Sequence, residues 1–305
     1  MILIVTHKRD YTADFVINKL NKKGICYKRL NCEDLDRSSY SFEINSDFEF
    51  SFKDETNFSS GWFRRTKLPV IENISEAEKL YLLSEYDSLT KNILSSIDCN
   101  WLSKPKNIYN AENKTLQLKK AKELGFLIPP TLITNDKSSI KKFYLMHGQN
   151  IIVKPIGYSL INYSDSPGYI FTNEVNSQII KTIDQYYINP CIFQKNIQKD
   201  YEIRVTVVGS ELFAAKCDSQ KNDETKTDWR RGKLLFKEVE IPSQISNLCV
   251  SLVKKLELGF GAIDLIKTEN DEYYFLEINP NGQWAWIEMQ TKQPISEALI
   301  KQLCK

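Results

Sequence analysis

The sequence predicts a mixed α/β chain, α+β in its parts, built of three units stacked around one cleft. Three observations carry that reading. An apolar run at 1–6, a helical pattern through Phe15, Val16 and Leu20, a stop at Gly24 and a second apolar run at 25–30 make a β-α-β opening. The middle of the chain alternates helical patterns with short strands. The last third is rich in hairpins.

Taken in order, the first unit (1–100) continues with an alternating hairpin over 42–52 around Asn45-Ser46-Asp47. A strand over 60–66, SGWFRRT, and a long amphipathic helix over 75–97 follow. No Gly-x-Gly-x-x-Gly follows the first strand, so a dinucleotide site is not supported. The second unit (101–190) opens with a helix over 111–124 that Gly125 closes. Pro129-Pro130 leads to a strand over 131–134 and a helix over 138–146. Residues 150–155 form an apolar strand with Lys154 inside it, 168–172 the return strand, and 174–187 a helix. The third unit (191–305) has strands within 191–196 and 201–219, turning at Gly209-Ser210. A polar, aperiodic stretch over 220–233 reads as a mobile loop. A helix over 243–256 precedes a strongly patterned hairpin over 261–279, and a helix over 294–303 comes last.

Bulk composition narrows the function classes. The chain is 42% hydrophobic and 26% charged, with 41 Lys plus Arg against 39 Asp plus Glu. A net charge of +2 gives no reason to expect nucleic acid as partner. The seven cysteines are odd in number and contain no Cys-x-x-Cys, which argues against a disulfide framework or a zinc site. The opening MILIVTHKRD is too short an apolar run for a signal peptide, and no stretch approaches the roughly 20 apolar residues of a membrane span. The expectation is a reduced, soluble, cytoplasmic protein. His7 and His147 are the only histidines and read as structural.

The strongest local signal is GAIDLIKTENDEYYFLEINPNGQW, 261–284. With a two-residue turn at Asn270-Asp271, Asp264 falls opposite Glu277, and Asn279 shares the face of Glu277. Two carboxylates and an amide oxygen then cluster within about 5 Å. Like charges facing each other across a sheet call for a compensating cation, and Mg²⁺ takes such oxygen donors. The opposite face, with Ile263, Leu265, Leu276 and Ile278, is the core face. The bland alternative is a surface hairpin with solvated acids, which the turn Pro280-Asn281-Gly282 just past the cluster weakens.

Two lysines form a second signal. Lys154 lies within an apolar strand, where an unpartnered ammonium is costly and a phosphate would serve as partner. Lys114 lies in the first turns of the helix over 111–124, facing the same cleft if the units stack. The third signal is 194–204, QKNIQKDYEIR: Glu202 and Arg204 share a strand face, suited to ribose hydroxyls and phosphate oxygens respectively. An ordinary cross-strand ion pair is the competing reading there.

Lys114, Lys154, Glu202, Arg204, Asp264, Glu277 and Asn279, in this order and spacing, resemble the ATP-grasp fold. More narrowly, the chain resembles the ATP-grasp ribosomal peptide maturases, the graspetide synthetases or microviridin-type macrocyclases. Trp62 to Arg65, Asn113-Lys114, Ala121 to Thr134, Glu202 to Gly209, Asp228 to Arg230 and Phe275 to Trp284 carry that resemblance over nearly the whole chain. It implies an N-terminal Rossmann-like pre-ATP-grasp domain, a small central α+β subdomain, and a C-terminal antiparallel-sheet domain with the Mg-ATP site. By resemblance Lys114 and Lys154 hold phosphates, Glu202 the ribose, and Gln194, Lys195 and Ile197 border the nucleotide. Asp264, Glu277 and Asn279 bind Mg²⁺, with Asn279 also facing ATP, and Arg204 stabilises the transferring phosphoryl group. Lys195 departs from the family's usual hinge glutamate, and the loop after Lys154 holds Gly157 and Gly168 without being glycine-rich.

The implied reaction phosphorylates an Asp or Glu side chain of a ribosomally made precursor, a leader plus a Thr/Glu/Asp-rich core. A Ser, Thr or Lys side chain then closes an ester or amide ring. Phosphoryl transfer asks for positioning and charge neutralisation, which two lysines, an arginine and a metal supply. In the loop over 220–233, Arg230 and Trp229 are expected to meet the peptide, and Asp228 to take the nucleophile's proton. Of the adjacent pair Arg64 and Arg65, which point to opposite faces, Arg65 is expected to reach the cleft. A homodimer is the family-level expectation. The alternatives are a ligase adding amino acids to a protein C-terminus or small acid, and a non-catalytic nucleotide-binding or peptide-binding module.

Overall fold

The apolar run Ile2–Thr6 forms strand β1, and Asp10, four residues on, starts helix α1 (Tyr11–Lys22) by accepting from the backbone N–H groups of Thr12 and Ala13. In this computed structural model, residues 1–36, 42–47, 50–52, 57–157, 160–162 and 167–305 are described. Strand β2 (Tyr27–Asn31) follows, then a small antiparallel pair, β3 (Phe42–Ile44) and β4 (Phe50–Phe52). Residues 48 and 49 of the expected hairpin lie outside the described residues. Strand β5 (Ser60–Phe63), helix α2 (Glu76–Ser96) and strand β6 (Asn100–Trp101) complete the opening. Ser75 and Glu78 form a reciprocal capping box at the start of α2. The sheet order is β2-β1-β5-β6, all parallel.

Helix α3 (Pro105–Ala111) was not read from the sequence, and α4 (Lys114–Leu124) begins three residues later than expected. The reason is Asn113, whose side chain accepts from Leu116 N and sets the helix start there. Strand β7 (Thr131–Thr134), helix α5 (Lys137–Met146) and strand β8 (Ile151–Lys154) come next. Strand β9 (Leu160–Asn162) pairs with β10 (Pro167–Tyr169), so 168–172 is not the strand that returns on β8. That strand is β11 (Asn173–Val175), which uses up the start of the helix expected over 174–187. Helix α6 covers only Ser177–Thr182, capped by Asn176. With β12 (Cys191–Lys195) the central sheet runs β11-β8-β12-β7, antiparallel throughout.

The third sheet holds β13 (Tyr201–Val208), β14 (Glu211–Cys217) and β15 (Lys237–Glu238). After helix α7 (Ser243–Lys255) it gains β16 (Phe260–Lys267) and β17 (Tyr273–Asn279). The order is β15-β14-β13-β16-β17. Helices α8 (Ala285–Thr291), absent from the sequence reading, and α9 (Ile295–Leu303) follow. Between β14 and β15 the polar stretch carries two single-turn 3₁₀ helices, Ser219–Lys221 and Trp229–Arg231.

One face of the third sheet, with Ile203, Val205, Ile263, Leu265, Phe275 and Ile278, packs on Cys249, Leu252 and Val253 of α7 and on Ala121 of α4. A second core joins Ile2, Ile4, Val16 and Leu20 of the opening unit to Trp284, Leu299 and Leu303. The central sheet has its own core around Ile140, Tyr144, Ile151 and Phe193. Among the described residues no helix is long and apolar enough to cross a membrane.

Candidate active site

The far face of the third sheet carries the polar cluster. Antiparallel pairing sets Arg204 opposite Asp264, Asp264 opposite Glu277, and Ala262 opposite Asn279. Arg204 Nη1 donates to both oxygens of Asp264, at 2.8 and 2.6 Å. Lys114, the first residue of α4, reaches across from its helix to Glu277 Oε2 at 2.7 Å. The Asn279 amide bridges the two acids, with Nδ2 3.2 Å from Asp264 Oδ2 and 3.0 Å from Glu277 Oε1. The geometric expectation for Asp264, Glu277 and Asn279 therefore holds in space. So does the placement of Lys114 and Arg204 beside them.

The charges are tuned by these neighbours. Burial pushes the Asp264 carboxyl above the usual range, with Arg204 opposing and Glu277 adding repulsion. Burial acts on Glu277 in the same direction, but Lys114 and Lys154 outweigh it and hold that carboxyl well below its ordinary value. Lys154, at the end of β8, is lowered by burial, against the attraction of Glu277. Among the described residues no carboxylate lies within ion-pair distance of Lys154. It feels the charges of Glu277, Lys114 and Asp264 without pairing directly with either acid.

On β13, Glu202 stands two residues before Arg204 on the same face, buried at 8% exposure. Burial raises its carboxyl, while Lys199 Nζ, 2.7 Å away, opposes. Glu202 and Arg204 thus each find a partner other than one another. Gln194 is buried, donates to Thr131 Oγ1 at 2.9 Å and leaves its Oε1 without a partner. Lys195 is exposed and Ile197 half-buried just beyond it.

The loop residues are placed less simply. Asp228 is buried and engages Arg230 through both oxygens, at 2.8 and 2.6 Å, while also accepting from Thr172 N at 3.0 Å. Burial would raise its carboxyl, but the Arg230 contacts prevail and keep it low. An acid so engaged is a poor proton acceptor until Arg230 leaves. Arg231 donates to Asn173 Oδ1 at 2.6 Å, so this loop is tied to the strand that edges the central sheet. Trp229 packs on Phe236 and Trp286, with ring centroids 5.1 and 5.6 Å away. Arg65 is exposed, and Arg64 is the buried one, in contact with the carbonyls of Asn281 and Gly282.

Three contributors were missed in the sequence. Gln117 accepts from Ile278 N at 3.1 Å and donates to Ile278 O at 2.8 Å. It thereby pins the edge strand between Glu277 and Asn279 from the helix that also carries Lys114. A glutamine one helical turn after that lysine was the available signal. Lys199, as partner of Glu202, is another, and Arg64, passed over in favour of Arg65, is the third.

The donor set fits a hard divalent cation. Two carboxylates and an amide converge, and turning the Asn279 amide over would present its oxygen where its nitrogen now lies. Among the described residues no group of three or more His, Cys, Asp or Glu side chains forms a metal cluster, so any such cation would rest on two acids plus that amide.

Comparison with known proteins identifies the family. The RimK-like ATP-grasp domain family matches residues 111–303. A RiPP-associated ATP-grasp ligase of Chryseobacterium gregarium, solved in complex with ADP and a leader and core peptide, is 30% identical over 99% of this chain and 96% of that one, with a TM-score of 0.88. The macrocyclase MdnC of Microcystis aeruginosa, solved with the precursor peptide MdnA, is 27% identical over 100% and 99% of the two chains, also at 0.88. An uncharacterized protein of Methanocaldococcus jannaschii is 26% identical over 208 residues, 64% of this chain. The chain spans 48%, about half, of that curated relative's length.

Proposed function

The chain belongs to the RimK-like ATP-grasp family and is an ADP-forming ATP-grasp ligase, and from that premise we propose that it activates Asp or Glu side chains of a ribosomal precursor peptide and closes macrocyclic esters or amides. The observation that carries the reading is the convergence of Asp264, Glu277, Asn279, Arg204 and Lys114 on one sheet face with Lys154 opposite. The two relatives of 30% and 27% identity, each solved with peptide, direct it to a peptide substrate.

In this proposal Lys114 and Lys154 hold nucleotide phosphates, Glu202 the ribose, and Gln194, Lys195 and Ile197 border the base. Asp264, Glu277 and Asn279 would hold Mg²⁺, which when bound supplies charge neutralisation on the phosphate oxygens. Arg204 and Lys114 occupy the acids' oxygens in this structure and are placed to turn to phosphate instead. A peptide carboxylate oxygen bonds to the γ-phosphorus and ADP departs. A hydroxyl or amine then bonds to the acyl carbon, the C–O bond to phosphate breaks, and inorganic phosphate leaves with the ring closed. The nucleophile's proton must be taken up. Asp228 can do so once Arg230 exchanges it for a substrate carboxylate, which makes arrival of the acidic side chain the event that frees the base. Arg65 and Trp229 are assigned to the peptide side.

The test is mass spectrometry of a cognate precursor after incubation with ATP and Mg²⁺. A loss of about one water per ring supports the reading. An unchanged mass, or a gain when free amino acid is supplied, refutes it; the gain would indicate ligation to a C-terminus instead.

A further inference from the structure

The acid cluster ends in a turn, residues 280–283, that is gripped from behind by the N-terminal unit. Arg64 and Asp10 are both buried, at 1% and 0% side-chain exposure. Arg64 Nε lies 3.2 Å from Asp10 Oδ2 and Nη2 lies 3.4 Å from Oδ1. The remaining Nη1 donates to the carbonyl oxygens of Asn281 and Gly282, both at 3.3 Å. Asp10 is itself fixed by Thr6 Oγ1 at 2.8 Å and by its capping of α1. Thr12, in the first turn of that helix, is hydrogen-bonded to the Gln283 side chain.

The other side of the same turn touches the site. Arg204 Nη2 donates to Gln283 O at 3.4 Å. Gly282 packs so closely that a Cβ there would lie 2.6 Å from Ala262 Cβ, 2.8 Å from Arg204 Nη2 and 3.2 Å from Asn279 Cβ. A displacement of the turn therefore moves the guanidinium of Arg204 and the amide of Asn279 directly. A buried ion pair gives little net stability over apolar packing of the same volume. Here its free donors go to a turn and not to the core, so its return is geometric.

We infer that Arg64, held by Asp10, is a positioning residue of the ligase site: it fixes the carbonyls of Asn281 and Gly282 and thereby sets where Asn279 and Arg204 stand. The inference rests on the proposed roles of those two residues. Its planar fork is what the task needs, because one guanidinium meets a carboxylate and two carbonyls at once. A lysine could keep the pair with Asp10 but not the rest.

Arg64→Lys is the informative variant, read by calorimetric titration with a non-hydrolysable ATP analogue in the absence and presence of Mg²⁺, alongside ADP formation. The expected result is analogue affinity without Mg²⁺ within about twofold of the parent. The gain on adding Mg²⁺ shrinks about tenfold and kcat falls about 10- to 100-fold at unchanged KM for ATP, the scale of a small misplacement of reacting groups. A lowered melting temperature with an undiminished Mg²⁺ gain and kcat would reduce Arg64 to a structural pair and overturn the inference. Should Arg64→Lys fail to fold, Gly282→Ala perturbs the turn from the site side with the Arg64–Asp10 pair intact, and must show the same loss. A parent that processes no peptide refutes the substrate reading alone, since the Mg²⁺ gain in analogue binding still reports on Arg64. A parent with no Mg²⁺ gain at all refutes the inference itself.

Discussion

Replacing Asp264 by Asn separates the catalytic demand on the cluster from its structural one. Asparagine keeps the size of the side chain and one acceptor but removes the charge. In the structure Asp264 takes two contacts from Arg204, at 2.8 and 2.6 Å, and one from Asn279 at 3.2 Å. Loss of charge-assisted bonds of this kind costs about 1.5–3 kcal/mol. Two effects oppose that cost. Burial already holds the Asp264 carboxyl above its ordinary range, so a neutral group is less penalised there, and repulsion with Glu277 disappears. The net loss of stability is then about 1 kcal/mol, equivalent to a fall of no more than about 4 °C in melting temperature. Catalysis should respond far more strongly. A metal contributes several kcal/mol to neutralising transition-state charge, so ADP formation should fall at least about 1000-fold, or roughly 4 kcal/mol. Coupled detection of ADP with peptide, ATP and Mg²⁺, together with a thermal melt, measures both quantities. Turnover within about tenfold of the parent, in a variant that melts normally, would refute the assignment of Asp264 to the metal and of this face to phosphoryl transfer.

Two further outcomes are expected. Asp228→Asn removes the charge that orients Arg230 and weakens the tie to Thr172; ring closure should slow about 10- to 100-fold, and limited proteolysis within 220–233 should accelerate, both read on one preparation by mass spectrometry. Asp10 is held down to about 2 from an ordinary value of 3.8, burial being outweighed by Arg64 and Thr6. A depressed carboxyl stabilises the fold above its unfolded pKa, so this contribution, about 2.5 kcal/mol for a shift of roughly 2 units, is lost as pH falls from about 4 through about 2. Denaturant midpoints measured across that window should drop less steeply in Asp10→Asn than in the parent.

The residues proposed as ligands were legible because chemistry made them conspicuous. Lys154 in the run Ile151–Lys154, and acids alternating with apolar residues in β16 and β17, are expensive arrangements that call for a reason. The supporting residues were not legible in the same way. Gln117, Arg64 and Lys199 act through backbone carbonyls or a neighbouring acid 161, 217 or 3 residues away, and nothing in a helix or strand pattern distinguishes such a side chain from a solvated one. Element boundaries failed where side chains intervened. Asn113 moved the start of α4, and pairing of Asn173–Val175 with β8 took residues from a helical pattern.

The pairing of Asp264 with Glu277 has a more instructive origin. A two-residue turn at Asn270-Asp271 also yields that pair by counting, yet the turn is different. Thr268 N donates to Glu272 O at 2.9 Å, Asp271 takes a left-handed φ of 60°, and the first strand pair beyond the turn is Lys267 with Tyr273. A strict ladder from there would set Leu265 against Phe275 and Asp264 against Leu276. Since side chains alternate with period two, Glu277 and Asn279 would then face the core, with Leu276 and Ile278 at the site. The register shift between Asp264 and Leu265 prevents this by giving β17 one extra residue. Phe275 and Ile278, three apart, are both buried, Leu276 is only half-buried, and Glu277 and Asn279 come round to Asp264. The expected core position of Leu276 is thus taken by Phe275. The bulge re-aims two polar side chains, those proposed to bind metal, while Phe275 and Ile278 stay in the core. Local strand irregularity and chemistry are one feature here: straighten β17 and the site loses Glu277 and Asn279 together.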